Sequence, residues 1–132
     1  MKLIFSYLLT LGVFFVVDLL WLGVIAKGIY DKHIGFLMAD KVNWLSAIIF
    51  YCCFVAAIFL FVIFPAIEKD SVLRALGLGA AFGFITYATY ELTNHAILKG
   101  WPASIIFIDL AWGVVLTSIV SIAGFYITKW IY

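Results

Sequence analysis

Charged side chains are scarce in this sequence. Asp, Glu, Lys and Arg account for 11% of the 132 residues, whereas hydrophobic residues account for 67%. Soluble domains carry about 25% charged and about 45–50% apolar residues, so a soluble fold of this length could not cover so much apolar surface. The net charge is +1 and the chain has no basic run, which argues against a nucleic-acid partner.

Cysteine and proline are also sparse, with two residues of each. Cys52 and Cys53 are adjacent in an apolar stretch, where a disulfide between neighbours would be strained. We therefore interpret them as small core residues, and the sequence does not predict a disulfide scaffold. With so few prolines, long apolar runs remain uninterrupted.

These runs predict four membrane-spanning helices, because one span needs about 20 apolar residues. The predicted spans are residues 3–26, 44–64, 72–98 and 102–128. Pro65 is expected to end the second span, and Gly100 and Pro102 to separate the third from the fourth. The spans use nearly the whole chain. The sequence thus predicts an all-α, four-helix transmembrane bundle, residues 1–132 forming a single domain with no soluble catalytic part.

The only long connection is the segment 27–42. Its apolar residues recur at helical spacing and its charges lie elsewhere, which is typical of a short helix in the membrane interface. The apolar positions are Tyr30, Ile34, Leu37 and Met38. An ordinary loop with some apolar residues is the alternative.

Basic residues do not define the orientation. One side of the predicted bundle carries Lys2, Lys69, Arg74 and Lys129, and the other carries Lys27, Lys32, Lys41 and Lys99. Because the excess of Lys and Arg marks the cytoplasmic side, this tie leaves both orientations open.

Three acids lie inside the predicted spans: Asp18 in the first, Glu91 in the third and Asp109 in the fourth. A charged residue at a helix centre costs about 2.5–3.5 kcal/mol on insertion scales, so all three should face the bundle interior. At 1.5 Å per residue, each lies roughly 10–12 Å below the same membrane surface. The sequence therefore predicts one polar layer, with His95 one turn nearer that surface and the 27–42 segment above it.

Each of two spans carries an acid followed three residues later by a tryptophan. The pairs are Asp18 with Trp21 and Asp109 with Trp112. This spacing places both side chains of a pair on one helical face. The shared pattern has two interpretations, an internal repeat or chance.

The third span changes character midway. Its first half contains Gly79 and Gly83, a spacing that permits close helix packing. Its second half is polar on most sides and includes Tyr87, Tyr90 and Asn94, so we expect this span to lie at the bundle centre.

The second span has no ionisable residue and is expected to shield the others. In the fourth span, a stripe of small residues is expected to pack: Gly113, Thr117, Ser121 and Gly124. Trp44, Trp101, Trp130 and Tyr132 lie near span ends, as in an aromatic belt.

Five stretches carry a specific combined pattern: Asp18-Leu-Leu-Trp21, Phe64-Pro65-Ala66, residues 83–94, Leu98-Lys-Gly-Trp-Pro102 and Asp109-Leu-Ala-Trp-Gly113. Together they resemble a family of small predicted bacterial inner-membrane proteins defined as a four-span domain of unknown function. The resemblance covers nearly the whole chain and implies a bacterial inner membrane. Aspartate is usual in that family where this chain has Glu91. The resemblance implies no activity, cofactor or catalytic residue.

Three functions remain open. The first is proton- or cation-linked binding or transport of a small molecule, since acids at membrane depth mark ion and substrate paths. Aromatic side chains there could stack on an organic, cationic ligand. Small four-span multidrug exporters offer an analogy in size, and such a protein would need to form a homodimer. The candidate site comprises Asp18, Trp21, Tyr87, Tyr90, Glu91, Asn94, His95, Asp109 and Trp112.

The second is a membrane-embedded enzyme acting on a lipid or isoprenoid. Carboxylates and a histidine suffice for acid–base catalysis or for a divalent metal. The metal-ligand candidates are Asp18, Glu91, His95 and Asp109, although no spacing within one helix supports a metal. The third is an accessory subunit in which the buried polar groups only fix how the helices pack.

Overall fold

The computed structural model describes residues 1–132 and consists of helices without strands. Its helices are α1 (Lys2–Ile25), α2 (Lys27–Ile34), α3 (Trp44–Glu68), α4 (Val72–Ile97) and α5 (Ala103–Ile131). All except α2 are long and apolar enough to cross a membrane. The predicted all-α class with four spans is confirmed.

The prediction that Pro65 ends the second span is wrong. A wider, π-helical turn covers Phe59–Ile63, and an α-helical segment then continues through Pro65 to Glu68. Pro65 therefore falls in the first turn of that segment, where its missing N–H breaks no hydrogen bond. The second span is longer than the sequence indicated.

The predicted helix between the first two spans forms over Lys27–Ile34 and ends after one further turn. Tyr30 and Ile34 pack against apolar residues at the start of α5. Leu37 and Met38, expected on the same face, are 51% and 52% exposed. The second helix, α2, therefore ends where its contact with the start of α5 ends.

The central helix is α5, and the expectation that the third span lies at the centre is wrong. α5 packs against α1, α3 and α4, and 44% of its most apolar stretch is buried, against 22% for α4. The polar half of α4 can lie outward because its threonines bond to their own helix. The hydroxyl of Thr86 donates to the Phe82 carbonyl at 2.8 Å, and that of Thr89 to the Ile85 carbonyl at 2.7 Å.

Small residues bring α4 and α5 into close contact. A Cβ at Gly79 would lie 2.6 Å from Ser121 Oγ, and one at Gly83 would collide with the Gly113 backbone. All four residues are buried. The predicted packing role of these stripes is confirmed.

An apolar core lies between α1, α3 and α5, with Phe14, Phe54, Ile58, Leu116 and Val120 among its buried members. Asp18 is one turn beyond Phe14 along α1, and Asp109 precedes Leu116 on α5. The polar layer therefore lies between this core and α2.

Candidate functional site

The three intramembrane acids are buried: Asp18 is 6% exposed, Glu91 1% and Asp109 7%. Asp18 and Asp109 line one cavity, and Glu91 lies near Asp109. No basic side chain forms an ion pair with them, since the one salt bridge in the structure joins Lys129 and Asp70. The fold gathers acids from α1, α4 and α5 without a counter-charge.

Tyr51 of α3 is the hydrogen-bond donor to Asp18. Its hydroxyl lies 2.8 Å from Asp18 Oδ2, and its ring packs edge-on against Phe14 and Phe15, with centroids 5.1 and 4.9 Å away. α3 is therefore more than the shield that we expected, because it contributes to the polar layer. Tyr51 was missed in the sequence, although it lies about 10 Å along its span, at a depth similar to that of Asp18.

Tyr30 of α2 donates its hydroxyl hydrogen to Asp109 Oδ1. The same hydroxyl accepts from Trp21 Nε1 at 3.0 Å, so one tyrosine links α1, α2 and α5. Burial raises the pKa of Tyr30, and its hydrogen bond to Asp109 raises that pKa further, so the hydroxyl remains a donor at physiological pH. These bonds tie α2 to Asp109 and to Trp21. The apolar periodicity of the 27–42 segment included Tyr30 but gave no sign of this partner.

Trp101 is the donor to Glu91, with 2.7 Å between Nε1 and Oε2. Trp101 is 8% exposed, whereas Trp44 and Trp130 are 54% and 80% exposed. The expectation that Trp101 belongs to an aromatic belt is therefore wrong. A buried indole N–H and a buried carboxyl each need a hydrogen-bond partner. Trp101, in the short connection from α4 to α5, and Glu91, in α4, are each other's partner.

The two tryptophans of the repeated Asp–Trp pattern stack on each other. The rings of Trp21 and Trp112 are 4.4 Å apart between centroids and inclined by 8°. One face of each ring is thereby occupied, so neither indole is free to sandwich a ligand. Trp112 Nε1 is buried and has no hydrogen-bond partner, although it lies close to Asp18.

A cleft of about 430 Å³ lies between α3 and α4. It is lined by Phe50, Phe54, Thr86, Tyr87, Tyr90 and Asp109. A smaller cavity of about 250 Å³ shares Phe50, Tyr87 and Asp109 with it and reaches Asp18, Tyr30 and Trp112. The two cavities are neighbours, and both have aromatic side chains and the Asp109 carboxyl in their lining.

The sequence matches one family model over residues 3–126, that of the family described as "Predicted membrane protein (DUF2177)". The chain belongs to this family. The match covers parts of all four spans and confirms the resemblance that the motifs indicated, so the chain is a multi-pass membrane protein. No curated protein and no solved structure matches it significantly.

In this DUF2177 member, four of the nine proposed site residues line neither the cleft nor the smaller cavity: Trp21, Glu91, Asn94 and His95. His95 is exposed in the last turn of α4, and Asn94, half-buried, does not line either cavity. No three His, Cys, Asp or Glu side chains are placed to hold a metal ion together. The fold brings Asp18, Glu91 and Asp109 near one another and leaves His95 outside.

Proposed function

We propose that this protein binds a small molecule in the cleft between α3 and α4 and transports it with a proton or cation. The observation that carries the proposal is that Asp109 lines both this cleft and the smaller cavity that it shares with Asp18. Ligand sites are typically concave and largely apolar, with a few convergent polar groups. Acids buried at membrane depth mark substrate and ion pathways. Both descriptions fit this cavity.

The arrangement of Glu91 beside Asp109 supports coupling to a proton or cation. The two carboxyl groups are near neighbours, and neither has a basic partner. A bound proton or cationic ligand would relieve the repulsion between them, and release of one would favour uptake of the other. Exchange of this kind requires no metal centre.

We further infer that the membrane is the inner membrane of a bacterium, as the motif resemblance implies. We also propose a homodimer, because four helices enclose little space. Cross-linking in native membranes tests the oligomeric state, and only a monomer at all protein concentrations would contradict it.

Transport is tested with purified protein in liposomes that hold a pH gradient. A panel of small organic amines, alcohols and carboxylates is screened for flux that collapses the gradient. We expect at least one class to do so with the wild-type chain, and Asp109→Asn to abolish the effect. Asp70→Asn is the matched control, because Asp70 is an exposed acid far from the cleft.

Two results would contradict the proposal. One is a wild-type chain that supports no flux with any class of compound. The other is flux that persists unchanged in Asp18→Asn, Glu91→Gln and Asp109→Asn alike, because the acids would then have no part in transport.

A further inference from the structure

The cleft opens sideways, between two spans. α3 contacts α4 mainly through Phe59–Glu68, close to the turn that joins the two helices, and its first part, Trp44–Ile58, makes few contacts with α4. The cleft occupies this separation. Phe50 lies on the α3 side, and Tyr90 on the α4 side.

The mouth of this opening lies at the depth of the hydrocarbon. Phe50 is six residues from the start of α3 at Trp44, and Tyr90 is seven residues from the end of α4 at Ile97. At 1.5 Å per residue both are about 9–10 Å inside the span. Phe50 is 48% exposed and Tyr90 55%, so these side chains border an opening that lipid chains would meet.

The second helix, α2, covers part of the approach from the nearer aqueous surface. α2 lies over the polar layer, with Tyr30 bonded to Asp109 and to Trp21. Tyr30 and Ile34 also pack on the apolar start of α5. A ligand already dissolved in the bilayer would meet the side opening directly.

The lining favours a positive head group. Asp109 is the only carboxyl that lines the cleft. No Lys or Arg lines the cleft or the smaller cavity. The walls include Phe50, Phe54 and Tyr90, whose ring faces attract cations. An anionic head group would meet a carboxyl without any compensating charge.

We propose that the ligand is a membrane-dissolved amphiphile with a protonated amine head and an apolar tail, which enters between α3 and α4 and places its amine at Asp109. This rests on the proposed binding function and names its ligand class and entry route. A cleft of about 430 Å³ holds the head and part of the tail, and the remaining tail stays among the lipid chains. The amine competes with the Tyr30 hydroxyl for Asp109, so binding loosens α2.

The test measures binding of radiolabelled dodecylamine to the full chain in phosphatidylcholine nanodiscs, with empty nanodiscs subtracted. Dodecanoate tests the head group, and propylamine tests the tail. We expect dodecylamine to bind at least about tenfold more tightly than either, a difference of about 1.4 kcal/mol. Asp109→Asn should weaken dodecylamine binding by a similar factor, and Asp109→Glu should retain most of it.

A matched pair of variants tests the side opening. Thr86→Phe places a ring in the cleft that Thr86 lines, whereas Thr89→Phe places the same ring on the exposed face of the same helix. Both threonines bond only to their own helix. Only Thr86→Phe should reduce binding. The helical circular dichroism of both variants must match that of the wild type.

The possible results distinguish an error in the ligand class or entry route from an error in the proposed transport function. Dodecanoate binding that depends on Asp109 would overturn the amine assignment while leaving a ligand site in place. Equal binding of propylamine, or equal effects of the two phenylalanine variants, would overturn entry from the bilayer. Absence of dodecylamine binding would overturn the inference alone if the liposome screen still finds Asp109-dependent flux, and both proposals if it finds none.

Discussion

Replacing Tyr51 by Phe removes the hydroxyl that donates to Asp18 and little else. The ring keeps its edge-on packing against Phe14 and Phe15, so no sizeable cavity forms. The buried Asp18 carboxyl, which is 6% exposed, loses the Tyr51 hydroxyl that donates to it at 2.8 Å. Destabilisation of the folded bundle is therefore the expected consequence.

The size of the effect follows from two reference values. Hydrogen bonds between membrane helices average about 0.6 kcal/mol and reach about 1.7 kcal/mol, whereas bonds to charged groups in proteins contribute about 1.5–3 kcal/mol. Both reference values apply to the bond between Tyr51 and Asp18, because Asp18 is a buried carboxyl in a membrane-spanning helix. We expect Tyr51→Phe to lower the free energy of unfolding by about 1–2 kcal/mol.

The assay is reversible unfolding in mixed micelles, followed by circular dichroism. Tyr126→Phe is the control, because Tyr126 is 56% exposed, and its change should stay within about 0.5 kcal/mol. A double-mutant cycle with Asp18→Leu isolates the pair. Once the carboxyl is gone, Tyr51→Phe should be nearly neutral, because removing both partners leaves no unsatisfied group.

The reasoning fails if Tyr51→Phe and Tyr126→Phe change stability equally. It also fails if the loss caused by Tyr51→Phe is the same with and without the Asp18 carboxyl. Either result would mean that the tyrosine stabilises the bundle through its ring alone.

Three further predictions concern packing, the buried indole and the exposed ion pair. Gly83→Ala should cost about 1–3 kcal/mol by overpacking, whereas Gly77→Ala should not destabilise, since a Cβ there meets nothing within 4 Å. Trp101→Phe should lower stability by about 1–3 kcal/mol, because the buried carboxyl that it serves loses its donor. Lys129→Ala should cost less than about 1 kcal/mol, because Lys129 and its partner Asp70 are 47% and 72% exposed. The same micelle unfolding assay measures all three.

These predictions have distinct contrary outcomes. Equal free energies of unfolding of the two glycine variants would show that α4 and α5 are not in close contact. A Trp101→Phe chain as stable as the wild type would show that the buried carboxyl finds another donor. A large effect of Lys129→Ala that persists in high salt would mean that this surface pair is better shielded from solvent than its exposure indicates.

The sequence alone allowed prediction of the spans because each is a long apolar run whose length matches the bilayer. It also indicated that α4 and α5 each have a face suited to close packing, since glycines and small hydroxyl residues recur along single faces. The error at Pro65 has a local cause. A proline breaks a helix only where its N–H would have bonded, and the wide turn over Phe59–Ile63 shifts that position.

The placement of the third span was mispredicted for a different reason. A helix that is polar on most sides is expected to be buried. However, the hydroxyls of Thr86 and Thr89 donate hydrogen bonds to backbone carbonyls of their own helix, so they need no partner from another helix. Such bonds are invisible in a count of polar residues. The central position went instead to α5, whose small residues permit close approach on several sides.

Composition and helical rise determined that three acids would lie at one depth, because depth depends only on residue spacing along each span. The tertiary structure decided their partners. Tyr51, Tyr30 and Trp101 come from three different parts of the chain, and nothing in the local pattern around them marks them as donors. A buried carboxyl requires a donor but does not specify which one. That choice, and the side opening between α3 and α4, depend on how the helices pack and rotate against one another.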